Sequence, residues 1–149
     1  MIKKIAIWFL CLSVLFGQFS MAEEKFLSLK KSKVNVRYGP SFDSKIKYIY
    51  KKINLPIKQI DQKENFRRIV DLKNNSGWIH ISQIKKSNSI IILEDKILYK
   101  KPSNFSKPIA KLEKGRLLIL KKCENIWCNV KTEDYSGWVK TENIWGSVN

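Results

Sequence analysis

The sequence predicts an all-β protein of two tandem small barrels behind an N-terminal signal peptide, and three observations carry that prediction. The tripeptide Ser-Gly-Trp occurs twice, at Ser76-Gly77-Trp78 and Ser136-Gly137-Trp138. Each copy is followed by a β-branched residue, Ile79 or Val139, and an isoleucine, Ile84 or Ile144, lies further on at the same distance. Self-similarity at one fixed spacing marks two copies of one supersecondary unit. Apolar residues then alternate with polar ones between turn clusters every eight to twelve residues or so, the pattern of short strands in a barrel or sandwich. No stretch beyond the leader carries the periodicity of an amphipathic helix.

The leader is set apart by its composition. Lys3 and Lys4 precede an uncharged, mostly apolar run from Ile5 to Phe16, and Ser20 and Ala22 put small side chains at −3 and −1 of a cut before Glu23. That is the layout of a secretory signal peptide over residues 1–22. The run meets Gly17 and Gln18 well short of the roughly 20 apolar residues a spanning helix needs. Cys11 lies in mid-run behind bulky Leu10, not at a lipidation site. The expectation is a periplasmic or secreted protein with no stable membrane insertion after cleavage, and monomeric.

The strands can be read in order. Val34 to Arg37 alternates before the turn cluster Tyr38-Gly39-Pro40-Ser41. Ile46 to Ile49, Leu55 to Ile60 and Phe66 to Val70 follow, then a polar turn from Lys73 to Gly77 and the strand Trp78 to Ile81. The second unit repeats this sequence of elements. Ile90 to Leu93 leads in, and Ile97 to Tyr99 precedes Pro102-Ser103, the counterpart of Pro40-Ser41. Ile109 to Leu112, Gly115 to Leu120, Trp127 to Val130, a turn ending at Gly137 and Trp138-Val139 complete it. Phe66 and Trp127 are equivalent, as are Ile69 and Val130. The units span residues 25–86 and 88–147. Ile90 to Leu93 is too apolar for solvent, so the two barrels are expected to dock with that strand buried between them.

Removal of the leader leaves Cys123 and Cys128, an even count in an oxidising compartment. The run around them reads as two strand ends joined by a tight polar turn, so the two thiols can face each other across a hairpin. A metal site lacks partners, since His80 is the only histidine. A redox motif calls for two intervening residues, not four. A structural disulfide is expected.

Without the leader the chain has 27 basic residues against 13 acidic ones, a net charge of +14. Such a field attracts anionic partners. The full chain has 25 lysines and 4 arginines, however, and lysine is a point charge where arginine is a fork that reads phosphate and base edges. Together with export, this argues against nucleic acid and leaves a solvated lysine-rich surface or an anionic envelope partner.

These same residues carry a family resemblance. Val34-Asn35-Val36-Arg37-Tyr38-Gly39-Pro40-Ser41 is similar to the opening signature of bacterial SH3 domains, and the Gly-Trp pair after a hairpin turn is similar to their closing strand. Tyr48 to Lys52, Leu55-Pro56-Ile57, Phe66 to Ile69, the Cys123–Cys128 pair with Trp127, and Ile144-Trp145-Gly146 resemble an exported double-domain SH3-like family. The resemblance implies SH3-like barrels that recognise cell-wall peptides or protein segments through an aromatic-lined groove. In the second unit, Tyr99-Lys100-Lys101-Pro102 departs from the signature.

Catalysis is not expected. A hydrolase needs a nucleophile with its base, a metal centre or opposed carboxylates. His80 reads as an exposed strand residue, and the acidic pairs Glu94-Asp95 and Glu133-Asp134 as loop residues. No cofactor or metal is expected. The predicted function is a non-catalytic module recognising peptidoglycan or its stem peptides, or else a scaffold for a partner protein of the envelope. Arg37, Tyr38, Tyr48, Tyr50 and Tyr99 are the candidate contacts. Phe66, Trp78, Trp127 and Trp138 are assigned to structure, with Trp78 and Trp138 expected in the barrel cores because each opens an alternating strand directly after a turn glycine.

Overall fold

A computed structural model describes residues 23–148, so the expected signal peptide lies outside the described residues. The described chain is all β apart from a one-turn 3₁₀ helix at Ile81–Gln83. Unit 1 comprises β1 (Phe26–Leu29), β2 (Val34–Arg37), β3 (Ile46–Tyr50), β4 (Pro56–Lys63), β5 (Phe66–Val70), β6 (Ser76–His80) and β7 (Ile84–Lys86). Unit 2 comprises β8 (Ser89–Ile92), β9 (Lys96–Tyr99), β10 (Pro108–Leu112), β11 (Leu117–Glu124), β12 (Trp127–Lys131), β13 (Ser136–Lys140) and β14 (Ile144–Gly146). Each forms one antiparallel seven-stranded sheet, ordered β3-β2-β6-β5-β4-β1-β7 and β10-β9-β13-β12-β11-β8-β14. The second order is the first advanced by seven strands. The repeat therefore reaches beyond the doubled tripeptide to every strand pairing.

Turn chemistry matches between the units as well. The β4–β5 and β11–β12 hairpins turn through Glu64 and Asn125, both with positive φ. The bends before β4 and β11 use Asn54 (φ 61°) and Gly115 (φ 87°), the residue types that enter this region at least cost. Both long hairpins slip register at the same place, between Gln59 and Asp61 and between Leu120 and Lys122. A bulge there increases twist and helps a short sheet curl.

Each unit has its own core. Leu29, Val34, Val36, Ile57, Ile69 and Ile79 fill unit 1. Ile90, Ile92, Leu98, Leu112, Leu118, Cys128, Val130 and Val139 fill unit 2. Full burial of such a side chain is worth about 1.5–3 kcal/mol, and a barrel of this size has few of them to lose. Cys123 and Cys128 are bonded directly across the β11–β12 hairpin. Gln62 faces Arg67 at the corresponding register of unit 1, so the bond staples only the second hairpin. In so short a loop its entropic contribution is about 2 kcal/mol.

The glycines of Ser-Gly-Trp have a steric role. A Cβ on Gly77 would lie 2.4 Å from Val36 Cγ1 and 3.0 Å from the Arg37 carbonyl. On Gly137 it would lie 2.7 Å from the Tyr99 carbonyl and 2.9 Å from Leu98 Cγ. In both units β6 or β13 passes so close to β2 or β9 that no side chain fits between them.

The units are docked across a two-residue junction, Ser87-Asn88. The Ser28 and Ser89 hydroxyls are buried and hydrogen-bonded to each other at 2.8 Å. Ser28 Oγ also accepts from Asn88 N at 3.2 Å, and Ser89 Oγ donates to the Asn54 carbonyl. Trp145 stacks edge-on against Phe26, with centroids 5.1 Å apart, and its Nε1 donates to the Pro56 carbonyl at 3.0 Å. The expected apolar strand is β8, and its burial divides between two surroundings. Ile90 and Ile92 face into the core of unit 2. Ile91, across from Trp145 and Leu117 in register, lies on the outer side and is also buried.

Gly77→Ala and Gly137→Ala are each expected to destabilise the protein by about 1–3 kcal/mol through overpacking, measured as a lowered midpoint in urea. Ser76→Ala and Ser136→Ala, on the outer face, should leave the midpoint within about 0.5 kcal/mol of the parent.

Candidate functional site

With Gly77 and Ile79 pointing inward, Trp78 must point outward, because successive strand side chains alternate. Trp78 and Trp138 are accordingly half-buried on the outer faces of their sheets and absent from both cores. This corrects the expectation that they fill the barrel interiors. Trp78 instead lies opposite Arg37 on one side and Arg68 on the other. The outer face thus carries the row Arg37–Trp78–Arg68 across β2, β6 and β5. The corresponding row of unit 2 is Tyr99–Trp138–Asn129.

A groove of about 300 Å³ opens beside the first row, lined by Arg37, Tyr38, Lys47, Arg68, Ser76, Gly77 and Trp78. Tyr38 is 67% exposed, with Lys47 Nζ 5.6 Å from its ring centroid. Lys47 also donates to the Ser76 carbonyl at 2.9 Å, tying the groove's two walls together. Arg37 Nη1 donates to the carbonyls of Phe42 (3.0 Å) and Ser44 (2.8 Å), and the guanidinium lies 5.6 Å from the Phe42 ring. Arg37 therefore braces the 38–45 loop. Arg68 is exposed, stands across from Asp61 of β4, and among the described residues its guanidinium has no hydrogen-bond or ion-pair partner, so the fork is open to an anion. Parity with Ile69 would have placed Arg68 on this face from the sequence.

Tyr48 and Tyr50, expected as ligand contacts, point the other way. They pair with Val36 and Val34 and pack on the core of unit 1, where Ala110 and Leu112 stand in unit 2. Tyr50 Oη donates to Asp71 Oδ2 at 2.9 Å, and the two phenol oxygens lie 3.3 Å apart. Burial pushes the Tyr50 hydroxyl well above its ordinary range, reinforced by the hydrogen bond with Tyr48 and then by Asp71. Burial also raises Tyr48. Asp71 in turn accepts from the amides of Lys73 and Asn75, so these tyrosines anchor the β5–β6 turn.

Phe66 and Trp127 are both buried, but on the outer faces. Phe66 is covered by Phe42 (5.3 Å) and His80 (5.2 Å). Trp127 is met edge-on by Tyr99 at 5.7 Å, with Lys140 Nζ 5.7 Å from its ring. His80 is half-exposed, and its Nδ1 lies 2.8 Å from Ser82 Oγ. Among the described residues no three His, Cys, Asp or Glu side chains are grouped to hold a metal. No helix there is long and apolar enough to cross a membrane.

The signature loop survives in unit 2 despite its different sequence. Lys100 N bonds to the Lys107 carbonyl as Tyr38 N bonds to that of Lys45. Ser106 N reaches the Ser103 carbonyl as Ser44 N reaches that of Ser41. A second groove, lined by Lys100, Lys107, Pro108, Ile109, Asn129, Ser136 and Gly137, occupies the same position in unit 2. It is larger, about 560 Å³, Trp138 and Tyr99 do not line it, and Asn129 stands in place of Arg68.

The bacterial SH3 domain family model matches residues 30–86 and again 95–146. The chain belongs to that family, with two copies of its domain. Bacterial SH3 domains are binding domains and typically serve as cell-wall binding modules. No curated protein matches the chain. Among solved structures it is similar to NlpC2 from Trichomonas vaginalis, with 10% identity, a TM-score of 0.39, and 83% of this chain and 48% of that one covered. For NlpC1 from the same organism the values are 10%, 0.38, 86% and 48%. The chain thus spans about half the length of these structures.

Trp78→Ala is expected to cost about 1 kcal/mol, as for a partly exposed side chain, while the adjacent Ile79→Ala should cost about 2–5 kcal/mol. Urea unfolding of the two variants checks the inversion of phase. The raised Tyr50 hydroxyl also sets a pH dependence. The unfolded chain loses this proton near pH 10 and the folded chain holds it, so the contribution is complete below that pH and declines above it. Stability should fall more steeply above pH 10 in the parent than in Tyr50→Phe, as read from unfolding midpoints across that range.

Proposed function

We propose that the protein is a non-catalytic module of the cell envelope, periplasmic or secreted, whose first unit binds carboxylate-bearing stem peptides of peptidoglycan. The observation that supports this reading is the row Arg37–Trp78–Arg68 beside exposed Tyr38. A stem peptide offers free carboxylates and short alkyl side chains. The unengaged fork of Arg68 suits the carboxylate, and the faces of Trp78 and Tyr38 suit the alkyl groups. Lys47, held between Tyr38 and the Ser76 carbonyl, adds positive potential without a flexible arm. Arg37 acts as a positioning residue that keeps the 38–45 loop in place.

Co-sedimentation of the purified protein with isolated peptidoglycan sacculi, at low and at high salt, tests the proposal. Specific recognition should persist when salt screens surface charge. Arg68→Ala and Trp78→Ala should each weaken retention by about tenfold, while Lys73→Ala, on the exposed turn of unit 1, should leave it unchanged. Retention abolished by salt, or reduced equally by all three substitutions, would reduce the effect to bulk lysine attraction and overturn the proposal. No retention at either salt would do the same.

A further inference from the structure

Docking creates a cleft that neither unit has alone. It has a volume of about 700 Å³ and is lined by Lys52, Ile53 and Asn54 of unit 1 and by Arg116, Leu117, Ile119 and residues 131–133 of unit 2. That volume falls within the range of ligand sites of about 300–1,000 Å³. Its apolar surface has a definite origin. On the outer side of unit 2, Ile91 is paired with Leu117 and Ser89 with Ile119. Unit 1 covers Ile91 and Ser89, which are buried, but leaves Leu117 and Ile119 partly open beside them. Ile53, 48% exposed, lines the cleft from the other unit. The apolar seam between the units therefore continues into the cleft instead of closing.

The rim is cationic. Lys52, Arg116 and Lys131 line the cleft with Glu133 as the one acid, and among the described residues none of these four is in an ion pair. Asn54 is fixed by both backbone groups, its N–H to the Leu29 carbonyl and its carbonyl to Ser89 Oγ. Its side-chain Oδ1 is buried and lacks a partner.

We propose that this interdomain cleft binds an acidic peptide segment of a partner protein. Carboxylates would meet the cationic rim, and an apolar side chain would continue the Ile91–Leu117–Ile119 stripe. A phosphate or sulfate group supplies no apolar part, and a neutral glycan no charge. The site is separate from the outer-face groove and lies on the opposite side of the strand pleat of unit 2 from its core.

Fluorescence anisotropy with a labelled hexapeptide of alternating leucine and glutamate tests the assignment. Binding is expected, and versions with glutamine for glutamate or serine for leucine should bind about tenfold more weakly. Arg116→Glu and Ile119→Ser should each lower affinity by about tenfold, and Lys63→Glu, the same charge change at the opposite end of β4 from Asn54, by no more than about twofold. Circular dichroism verifies that the variants are folded. Sacculus retention by Arg116→Glu should equal the parent's, which keeps this result distinct from the outer-groove proposal. The inference is overturned if the hexapeptide does not bind, if the serine version binds equally, if Lys63→Glu weakens binding as much as Arg116→Glu, or if Arg68→Glu abolishes it.

Discussion

The close passage of β6 over β2, and of β13 over β9, governs both the inside and the outside of each barrel. Only glycine fits at the contact, with Val36 and the Arg37 carbonyl against Gly77, and Leu98 and the Tyr99 carbonyl against Gly137. A strand has only two faces, so an inward glycine commits its neighbours. Ile79 and Val139 complete the cores, while Trp78 and Trp138 are turned out among polar side chains. A slip of one residue would bury tryptophan where no methyl group fits. The outer aromatic row is thus a consequence of packing before it is a binding surface.

The two units share backbone geometry far more closely than surface chemistry. Loop hydrogen bonds, positive-φ turns and bulges all recur, yet Arg37–Trp78–Arg68 becomes Tyr99–Trp138–Asn129. In the first unit an arginine braces the signature loop through two carbonyls. In the second, Lys101 N instead donates to Ser106 Oγ at 2.8 Å. The backbone of the loop thus tolerates two different internal solutions, and what remains free to vary is the charge it presents.

Much of this was legible in the sequence, and where reading failed the reason is physical. Period-two patterning and the doubled tripeptide pointed to the all-β class and to two copies of one unit, and the short Cys123–Cys128 spacing pointed to a hairpin; the edge strands β7 and β14 carry no such alternation. Trp78 and Trp138 defeat a reading that starts the inward alternation at the residue after the turn glycine, because here the glycine itself is inward. Parity with Ile79 and Val139 pointed the other way, because tryptophan can serve either face whereas glycine here cannot. Tyr48 and Tyr50 misled for a different reason. The resemblance implied an aromatic-lined groove and so made them contacts, while their equivalents Ala110 and Leu112 mark those positions as inward. The partner that lets a phenol be buried, Asp71, lies in a distant turn that strand patterning does not connect to them. The seam was harder still, since nothing local to Ser28 or Ser89 announces a hydroxyl pair between two domains.

That seam bears on why the unit is present twice. Two identical sites on a short linker would gain by raised effective concentration, but the rows differ in charge and the junction is only Ser87-Asn88, so simple bivalency does not describe the arrangement. Beside the apolar cover over Ile91, the contacts that join the units are directional: the Ser28–Ser89 pair, the Ser89 hydroxyl to the Asn54 carbonyl, the indole N–H of Trp145 to the Pro56 carbonyl, and the edge-on Phe26–Trp145 contact. Hydrogen bonds of this kind fix orientation more than they add stability. They hold the bend at Asn54 against Ser89 and leave Leu117 and Ile119 open beside it. Docking thus makes the second barrel one wall of a surface the first could not form alone, so duplication here creates a new face instead of repeating an old one.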